Sequence, residues 1–503
     1  MLLALSFPRY GHPAVAFIAL VPLLVALSGW TGRSVDLPGV ATGRGFILGL
    51  IAGFIHYAGT VYWTGATVAT FGGIPPIVGV LIAGLLALYM AAYVAVFGAI
   101  AAILIRRFHV VGLWLAPAAW VSMEYARSTY LMGGFPWIPL GNTMVTLLPI
   151  AQLASIAGVF GLSVFVAVLN TGFALAAVSN GRRRTIAMAS TLLLITAVSL
   201  WGGVRLRSNS LTSGTPITVG LIQGNIAQTD KWNPARAGMI LDRYLQLSHQ
   251  AVEKGAQFLI WPESSTPFFF DDDPAGNIVR RMARELGVPL LLGSDELETG
   301  DTTRSYNSGF MLDSGGATAA VYRKIHQVPF GEYVPFQRLL FFVGPLVEAV
   351  SAFSPGTRVT MLPVNGHMLS TAICYEVTYP SLARDAVRQG SELLTTITND
   401  AWYGESSAPF QHFEMAVMRA IEQGRYLVRS ANTGISGIVD PYGRVLIRTD
   451  LFETVAVVGE ARFVQAKTVY ATIGDLAAYV SAAIVALALA LAFVEGRKTH
   501  ADG

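Results

Sequence analysis

Up to Val204 the chain is built from apolar blocks long enough to cross a bilayer, and beyond that point the blocks shorten and alternate with amphipathic stretches. The long blocks predict membrane spans near Ala14–Trp30, Gly45–Thr67, Ile74–Ile105, Val110–Ala126, Pro149–Val178 and Thr185–Val204, with one more near Ile473–Val494. The opening Met1–Phe7 is apolar but too short to cross unaided, and it lacks the basic start of a signal peptide. Counted as a truncated first crossing, it makes about eight.

Between Thr215 and Gln465 the pattern predicts strands at Ile217–Gln223, Phe258–Trp261, Leu290–Gly293, Tyr306–Asp313, Ala319–Tyr322, Met368–Ile373, Leu393–Thr398, Leu427–Ala431 and Gly437–Asp440. Helical periodicity falls on Ala235–Lys254, Asn277–Leu286, Pro380–Gln389 and Gln411–Gln423. Strands separated by helices mean a layered α/β domain. The expected organisation is a transmembrane bundle over 1–208, a globular domain over 209–467, and a C-terminal transmembrane helix with its tail over 468–503.

Composition sharpens this picture. Charged residues make up 13% of the chain and hydrophobic ones 53%, whereas a soluble domain carries about a quarter charged residues. Much of the surface must therefore face lipid. A net charge of +3 argues against a nucleic-acid partner. Arg33, Arg106–Arg107, Arg182–Arg184 and Arg497–Lys498 follow every second span, which puts that side in the cytoplasm and the globular domain across the membrane.

Candidate chemistry starts from Cys374, the single cysteine, which excludes an internal disulfide and a cysteine zinc cluster. The apolar run Met368–Ile373 ends in Cys-Tyr-Glu and then Tyr-Pro, a pattern that presents a thiol at the carboxyl end of a buried strand. An inert packed thiol is the competing explanation. Glu263 follows a strand in FLIWPESS, and Lys324 and Glu332 lie eight residues apart in VYRKIHQVPFGEYVP. Together these supply a nucleophile, a carboxylate base and a cation for a developing oxyanion. Glu124 and Arg127 end a predicted span ahead of the GGFPWIPLGNT loop carrying Trp137. They read equally as an interfacial ion pair with an aromatic anchor or as a lipid-headgroup site.

The blocks WPES, YRK-HQVPFGEYVP and ICYE resemble the Glu, Lys and Cys blocks of the nitrilase (carbon–nitrogen hydrolase) superfamily. With the flanking spans and the run Thr398–Gly443, nearly the whole chain is similar to the apolipoprotein N-acyltransferase family. The resemblance implies an αββα sandwich facing the periplasm from a bacterial inner membrane, with Glu263, Lys324 and Cys374 as a catalytic triad. It implies an acyl chain taken from a phospholipid, typically phosphatidylethanolamine. The chain would pass through a Cys374 thioester to the α-amino group of a diacylglyceryl-cysteine on an apolipoprotein. No cofactor and no metal are expected, and nothing points to an obligate protein partner, so a monomer is expected.

Around the triad, the backbone N–H of Tyr375 is the natural second oxyanion donor and Glu332 the group that holds Lys324 or relays a proton. Lys324 would also lower the thiol pKa. Glu376 reads as functional or as a loop-holding carboxylate. Trp232 and Trp402 read as substrate contacts or as packing, Asn399 with Asp400 as a turn, and His326 and His412 as bystanders. The apolar stretch Arg338–Phe353 reads as domain core or as an arm dipping into the bilayer over the site. Two rival functions use the same residues differently: a membrane-tethered amidase with water as acceptor, and a scaffold with a decayed catalytic domain.

Overall fold

The computed structural model describes residues 1–32, 37–299, 303–329, 331–333 and 353–501, with side chains up to Val494. Arg33 and residues 338–352 of the apolar stretch lie outside the described residues. The chain divides into two compact units, Met1–Ser208 with Ile473–Gly503, and Asn209–Thr472.

The first unit is helical. Among the described residues four helices are long and apolar enough to cross a membrane: Pro76–Phe108, Ala154–Val178, Gly181–Ser208 and Leu476–Val494. A pair bent by 55°, Thr42–Thr60 and Trp63–Phe71, would make a fifth. Val110–Thr129 is 20 residues long but carries Pro117, Glu124 and Arg127, which lower its apolar content. Pro13–Leu27 is a shorter apolar helix, and the opening residues form only a 3-10 turn at Ala4–Ser6.

Close packing in this unit rests on small residues. Gly45, Gly49 and Gly53 recur every fourth position on Thr42–Thr60, so they share one face of the helix. Each lies against Pro76–Phe108. A Cβ on Gly49 would stand 2.2 Å from the Val94 carbonyl oxygen, and one on Gly45 would stand 2.5 Å from that of Gly98. In lipid such backbone approach substitutes for the hydrophobic drive that holds soluble helices together.

The second unit holds two six-stranded sheets. The first runs in the order β12-β1-β2-β3-β4-β5, comprising β1 (Thr215–Gln223), β2 (Phe258–Ile260), β3 (Leu290–Glu298), β4 (Arg304–Leu312), β5 (Thr318–Arg323) and β12 (Val455–Phe463). The second runs β11-β10-β9-β8-β7-β6, comprising β6 (Leu362–Val364), β7 (His367–Ile373), β8 (Leu393–Thr398), β9 (Leu427–Ala431), β10 (Gly437–Val439) and β11 (Val445–Arg448). Both have a parallel centre, β1–β2–β3 and β7–β8–β9, flanked by antiparallel strands.

One apolar layer joins the sheets face to face: Val219, Leu221, Phe258 and Ile260 from the first meet Leu369, Ile373, Ile397 and Val428 from the second. The outer face of the first sheet is covered by helices Pro234–Glu253 and Gly276–Leu286, packed through Leu241, Tyr244, Leu247 and Met282. Helices Pro380–Arg388 and Ala408–Gln423 belong to the second sheet and complete an αββα sandwich. Strands β7 to β9 are covered on both sides, which is why LLTTIT at β8 is buried throughout instead of alternating.

The strands β6, β11 and β12 were not expected. All three lie at sheet margins. Residues in the half-exposed β12, VAVVGEARF, share their hydrophobicity between core and solvent, so its pattern is weak.

The glycine face yields the first prediction. Gly49→Leu should force the helix pair apart and destabilise the protein by about 1–3 kcal/mol, an overpacking cost. Gly84→Ala, where a Cβ meets nothing within 4 Å, should be neutral. Thermal melting of the detergent-solubilised protein, with folded yield in membranes, checks both.

Candidate active site

Three strand ends of the second unit converge on one buried cluster. Glu263 stands beyond β2, after Trp261, whose ring nitrogen donates to Ser248 Oγ at 2.9 Å and fixes the strand exit from below. Lys324 directly follows β5, its backbone N–H bonded to the Asn307 carbonyl on β4 at 2.9 Å. Cys374 directly follows β7 and opens a 3-10 turn, Cys374–Thr378, with φ at +53°. Glu263 and Cys374 thus leave the carboxyl ends of parallel strands in different sheets, where open α/β sheets place ligands.

The charges are held by one another. Lys324 Nζ lies 2.7 Å from Glu332 Oε1 and 3.4 Å from Glu263 Oε1. Asn307 Nδ2 bridges the two carboxylates, donating to Glu263 at 2.7 Å and to Glu332 at 3.3 Å. The backbone N–H of Asn399 donates to the other Glu263 oxygen at 2.8 Å. Glu332 Oε2 accepts the Val328 N–H at 2.8 Å, which ties its own loop down. Burial by itself would raise the Glu263 pKa, but Lys324, Lys231 and these hydrogen bonds outweigh it and hold the carboxyl below its ordinary value. Glu263 is therefore an ionised acceptor at neutral pH. Burial opposes the Lys324 charge, yet Glu332 and Glu263 overcome it and raise its pKa, so Lys324 stays an ammonium.

The thiol behaves otherwise. Burial and the Glu263 charge push Cys374 up to about 12, while Lys324 pulls the other way and loses. Lys324 does lower the thiol's pKa, as the charge argument expects, but the net shift is upward. The resting sulfur carries its proton beside a carboxylate able to take it.

The supporting residues sort by what they touch. Glu376 is fully buried and accepts from Tyr322 Oη, the N–H groups of Ile325 (2.6 Å) and His326 (3.0 Å), and Ile373 N–H (2.8 Å). One carboxylate thereby ties the Lys324 loop to the Cys374 turn, and burial raises its pKa to about 7. Tyr375 is buried, with its ring edge-on to Tyr379 at 5.4 Å. Asn399 spends its amide on Gln228 and Asn432. Trp232 is 46% exposed, its ring 6.3 Å from Phe269, and Trp402 is half-buried in the turn Asp400–Tyr403. His326 stacks on Tyr379 at 4.0 Å.

Glu124, Arg127 and Trp137 lie in the helical unit and form a cluster of their own. Glu124 Oε1 accepts the Leu140 N–H at 2.6 Å, and Arg127 Nη1 donates to the carbonyls of Phe135 (2.6 Å) and Trp137 (2.9 Å). Both charges organise the 133–143 loop, and Trp137 is buried against Trp63 at 5.2 Å.

Sequence reasoning missed several participants. Asn307 sits mid-strand in SYNSG, where nothing in the local pattern marks it. Lys231, beside the singled-out Trp232, is 5% exposed and donates to the Glu263 carbonyl at 3.2 Å; burial lowers its pKa. Asp295, raised by burial to about 6, faces Lys231 and accepts from Ser264 Oγ at 2.9 Å. His412, read in the sequence as a bystander, is buried with Nε2 3.0 Å from the Cys374 carbonyl oxygen. Among the described residues no three of His, Cys, Asp and Glu converge as a metal-holding group.

This arrangement is that of a carbon–nitrogen hydrolase domain, and the family model of that description matches residues 218–467. A second model, the apolipoprotein N-acyltransferase N-terminal domain, matches residues 1–172. Relatives named apolipoprotein N-acyltransferase align along almost the whole chain. The protein of Geobacter metallireducens is 39% identical over 98% of this chain and 94% of its own length. That of Shewanella oneidensis is 34% identical over 94% and 90%, and that of Vibrio vulnificus 31% over 99% and 96%. The chain belongs to the apolipoprotein N-acyltransferase family.

The electrostatics give a second prediction. Removing an anion beside a thiol favours the thiolate, and Glu332 still holds Lys324 when Glu263 is neutralised. Glu263→Gln should therefore speed alkylation of Cys374 by iodoacetamide at pH 8, by roughly tenfold. Slower alkylation would mean that Glu263 already promotes ionisation of the resting thiol.

Proposed function

We propose that this protein transfers an acyl chain from a membrane phospholipid, typically phosphatidylethanolamine, to the α-amino group of the N-terminal diacylglyceryl-cysteine of an apolipoprotein. The observation that carries the reading is the buried set of Glu263, Lys324 and Cys374, inside a chain whose other unit is built of membrane-length apolar helices.

In the first step the Cys374 sulfur bonds to the ester carbonyl carbon while its proton passes to Glu263. Because the thiol is pushed to about 12, attack and proton transfer are coupled, and no free thiolate waits in the resting site. Lys324 and the Tyr375 N–H take the oxyanion. Its collapse breaks the carbon–oxygen bond, Glu263 returns the proton to the departing lysophospholipid oxygen, and a thioester remains on Cys374. In the second step the acceptor amine bonds to the thioester carbon, its proton goes to Glu263, and the sulfur leaves and regains a proton. An amide is more stable than a thioester, so no energy source is needed. Glu332 fixes Lys324, and Glu376 locks the Lys and Cys loops together. The exposed Trp232 ring, with Phe269 beside it, and Trp402 are assigned to acyl or headgroup contact.

The organisation that suits this chemistry is about eight crossings in a bacterial inner membrane. The four long helices and the bent pair would be joined by Val110–Thr129, Pro13–Leu27 and the opening segment. Residues 209–467 then form the periplasmic catalytic domain of a monomer. Arg106, Arg107 and Arg182–Arg184 favour that orientation because basic loops stay in the cytoplasm. Glu124 and Arg127 are assigned to holding the 133–143 loop that carries Trp137.

Incubation with phosphatidylethanolamine should add one acyl mass to Cys374, release a matching amount of lysophospholipid, and continue only when a diacylglyceryl-cysteine peptide is supplied. Cys374→Ser should leave no hydroxylamine-sensitive adduct, read by mass spectrometry. Steady release of ammonia or free fatty acid without acceptor would replace this reading with an amidase or lipase.

A further inference from the structure

Directly beneath the nucleophile turn lies a buried cluster that the steps above leave unused. Asp400 follows β8, His412 lies in the first turns of Ala408–Gln423, and Arg429 is on β9; all three are at most 2% exposed. Arg429 Nη2 lies 2.9 Å from Asp400 Oδ2 and 3.0 Å from His412 Nδ1, and His412 Nδ1 lies 3.0 Å from Asp400 Oδ1. Thr398 Oγ1 donates to the same Asp400 oxygen at 3.0 Å. The other ring nitrogen, Nε2, is 3.0 Å from the backbone carbonyl oxygen of Cys374.

The partners dictate the tautomer. A carbonyl oxygen only accepts, so Nε2 must carry the proton. Burial, and then the Arg429 charge, lower the His412 pKa while Asp400 raises it, and Nδ1 lies between the Arg429 guanidinium and the Asp400 carboxylate. Asp400 would be raised by burial, but Arg429 and then His412 hold it at about 2, which makes it the standing counter-charge to the guanidinium.

The carbonyl so gripped belongs to a strained residue. Cys374 has φ at +53°, a left-handed conformation that is strained for a side-chain-bearing residue and persists only where its surroundings enforce it. In a planar trans peptide the C=O and the following N–H point in opposite directions. Holding the Cys374 carbonyl toward His412 therefore turns the Tyr375 N–H away from the cluster.

We propose that His412 is a positioning residue for the oxyanion site: its Nε2–H fixes the Cys374–Tyr375 peptide so that the Tyr375 N–H faces the carbonyl under attack and does not flip. The proposal rests on the reading of Cys374 as the nucleophile. Asp400 and Arg429 act one step further back, setting the ring's orientation and tautomer.

Two variants separate this role from simple packing. The amide of His412→Gln reaches the place of Nε2 and can still donate to the Cys374 carbonyl, whereas that of His412→Asn reaches only the place of Nδ1. Each is measured for acyl-enzyme formation from phosphatidylethanolamine vesicles and for alkylation of Cys374 by iodoacetamide. Alkylation displaces iodide at a saturated carbon, so it develops no oxyanion. His412→Asn should slow acylation by roughly a hundredfold, the loss typical of one oxyanion donor, while alkylation stays within about threefold of wild type. His412→Gln should acylate within about fivefold of wild type. Wild-type acylation by His412→Asn, or a parallel fall of acylation and alkylation, overturns the proposal. Should His412→Asn fail to accumulate in membranes, His412→Gln decides alone, and loss of its acylation with alkylation intact overturns it. Failure of the nucleophile reading shows separately, as lysophospholipid release that survives Cys374→Ala.

Discussion

Glu263, Lys324, Glu332 and Lys231 are all ionisable groups withdrawn from water, the most exposed of them at 8%. An unpaired ion in such a place costs several kcal/mol, and removing one partner of a buried pair typically costs about 3–5 kcal/mol. None of these side chains can therefore be placed without the others. Lys324 sits between Glu332 and Glu263, Asn307 bridges the two carboxylates, and Lys231 secures the Glu263 backbone. Mutual neutralisation, more than any single strand, decides where the loops after β2 and β5 come to rest.

The two-sheet sandwich makes this possible. Glu263 and Lys324 come from one sheet and Cys374 from the other, so the inter-sheet layer of Val219, Phe258, Ile373 and Ile397 sets their relative position. Glu376 then closes the gap. Although it follows Cys374 on the second sheet's turn, it accepts from Tyr322, Ile325 and His326, all at the end of the first sheet. A carboxylate with four donors on it is a rivet between sheets.

How much of this could be read in the sequence depended on the kind of signal. The central strands and their helices were legible because each is an uninterrupted apolar run or an amphipathic period, as at Leu393–Thr398 and Pro234–Glu253. Margin strands such as Val455–Phe463 divide their residues between core and solvent and left no clear period. Glu263, Lys324, Glu332 and Cys374 stood out through motif blocks at strand ends. Asn307, Asp295 and Lys231 did not, since a polar residue inside or beside a strand looks the same whether it meets solvent or a buried carboxylate 2.7 Å away. In the helical unit Glu124 and Arg127 were visible as charges at the end of an apolar run. Their grip on the 133–143 backbone required knowing where that loop returns.

The neutral resting thiol has a consequence for specificity. A site that must keep water from a thioester gains nothing from a thiolate exposed before substrate arrives, because such a sulfur would be open to oxidation and adventitious acylation. Burial and the Glu263 charge suppress ionisation, and Lys324 counts for more once negative charge appears on the substrate oxygen beside it. The same carboxylate that holds the thiol down in the resting state is the one to which the proposed reaction gives its proton. On the proposed reaction, activation is thereby deferred until an ester carbonyl occupies the site. The desolvation that makes Cys374 a poor acid also makes water a scarce competitor of the incoming amine.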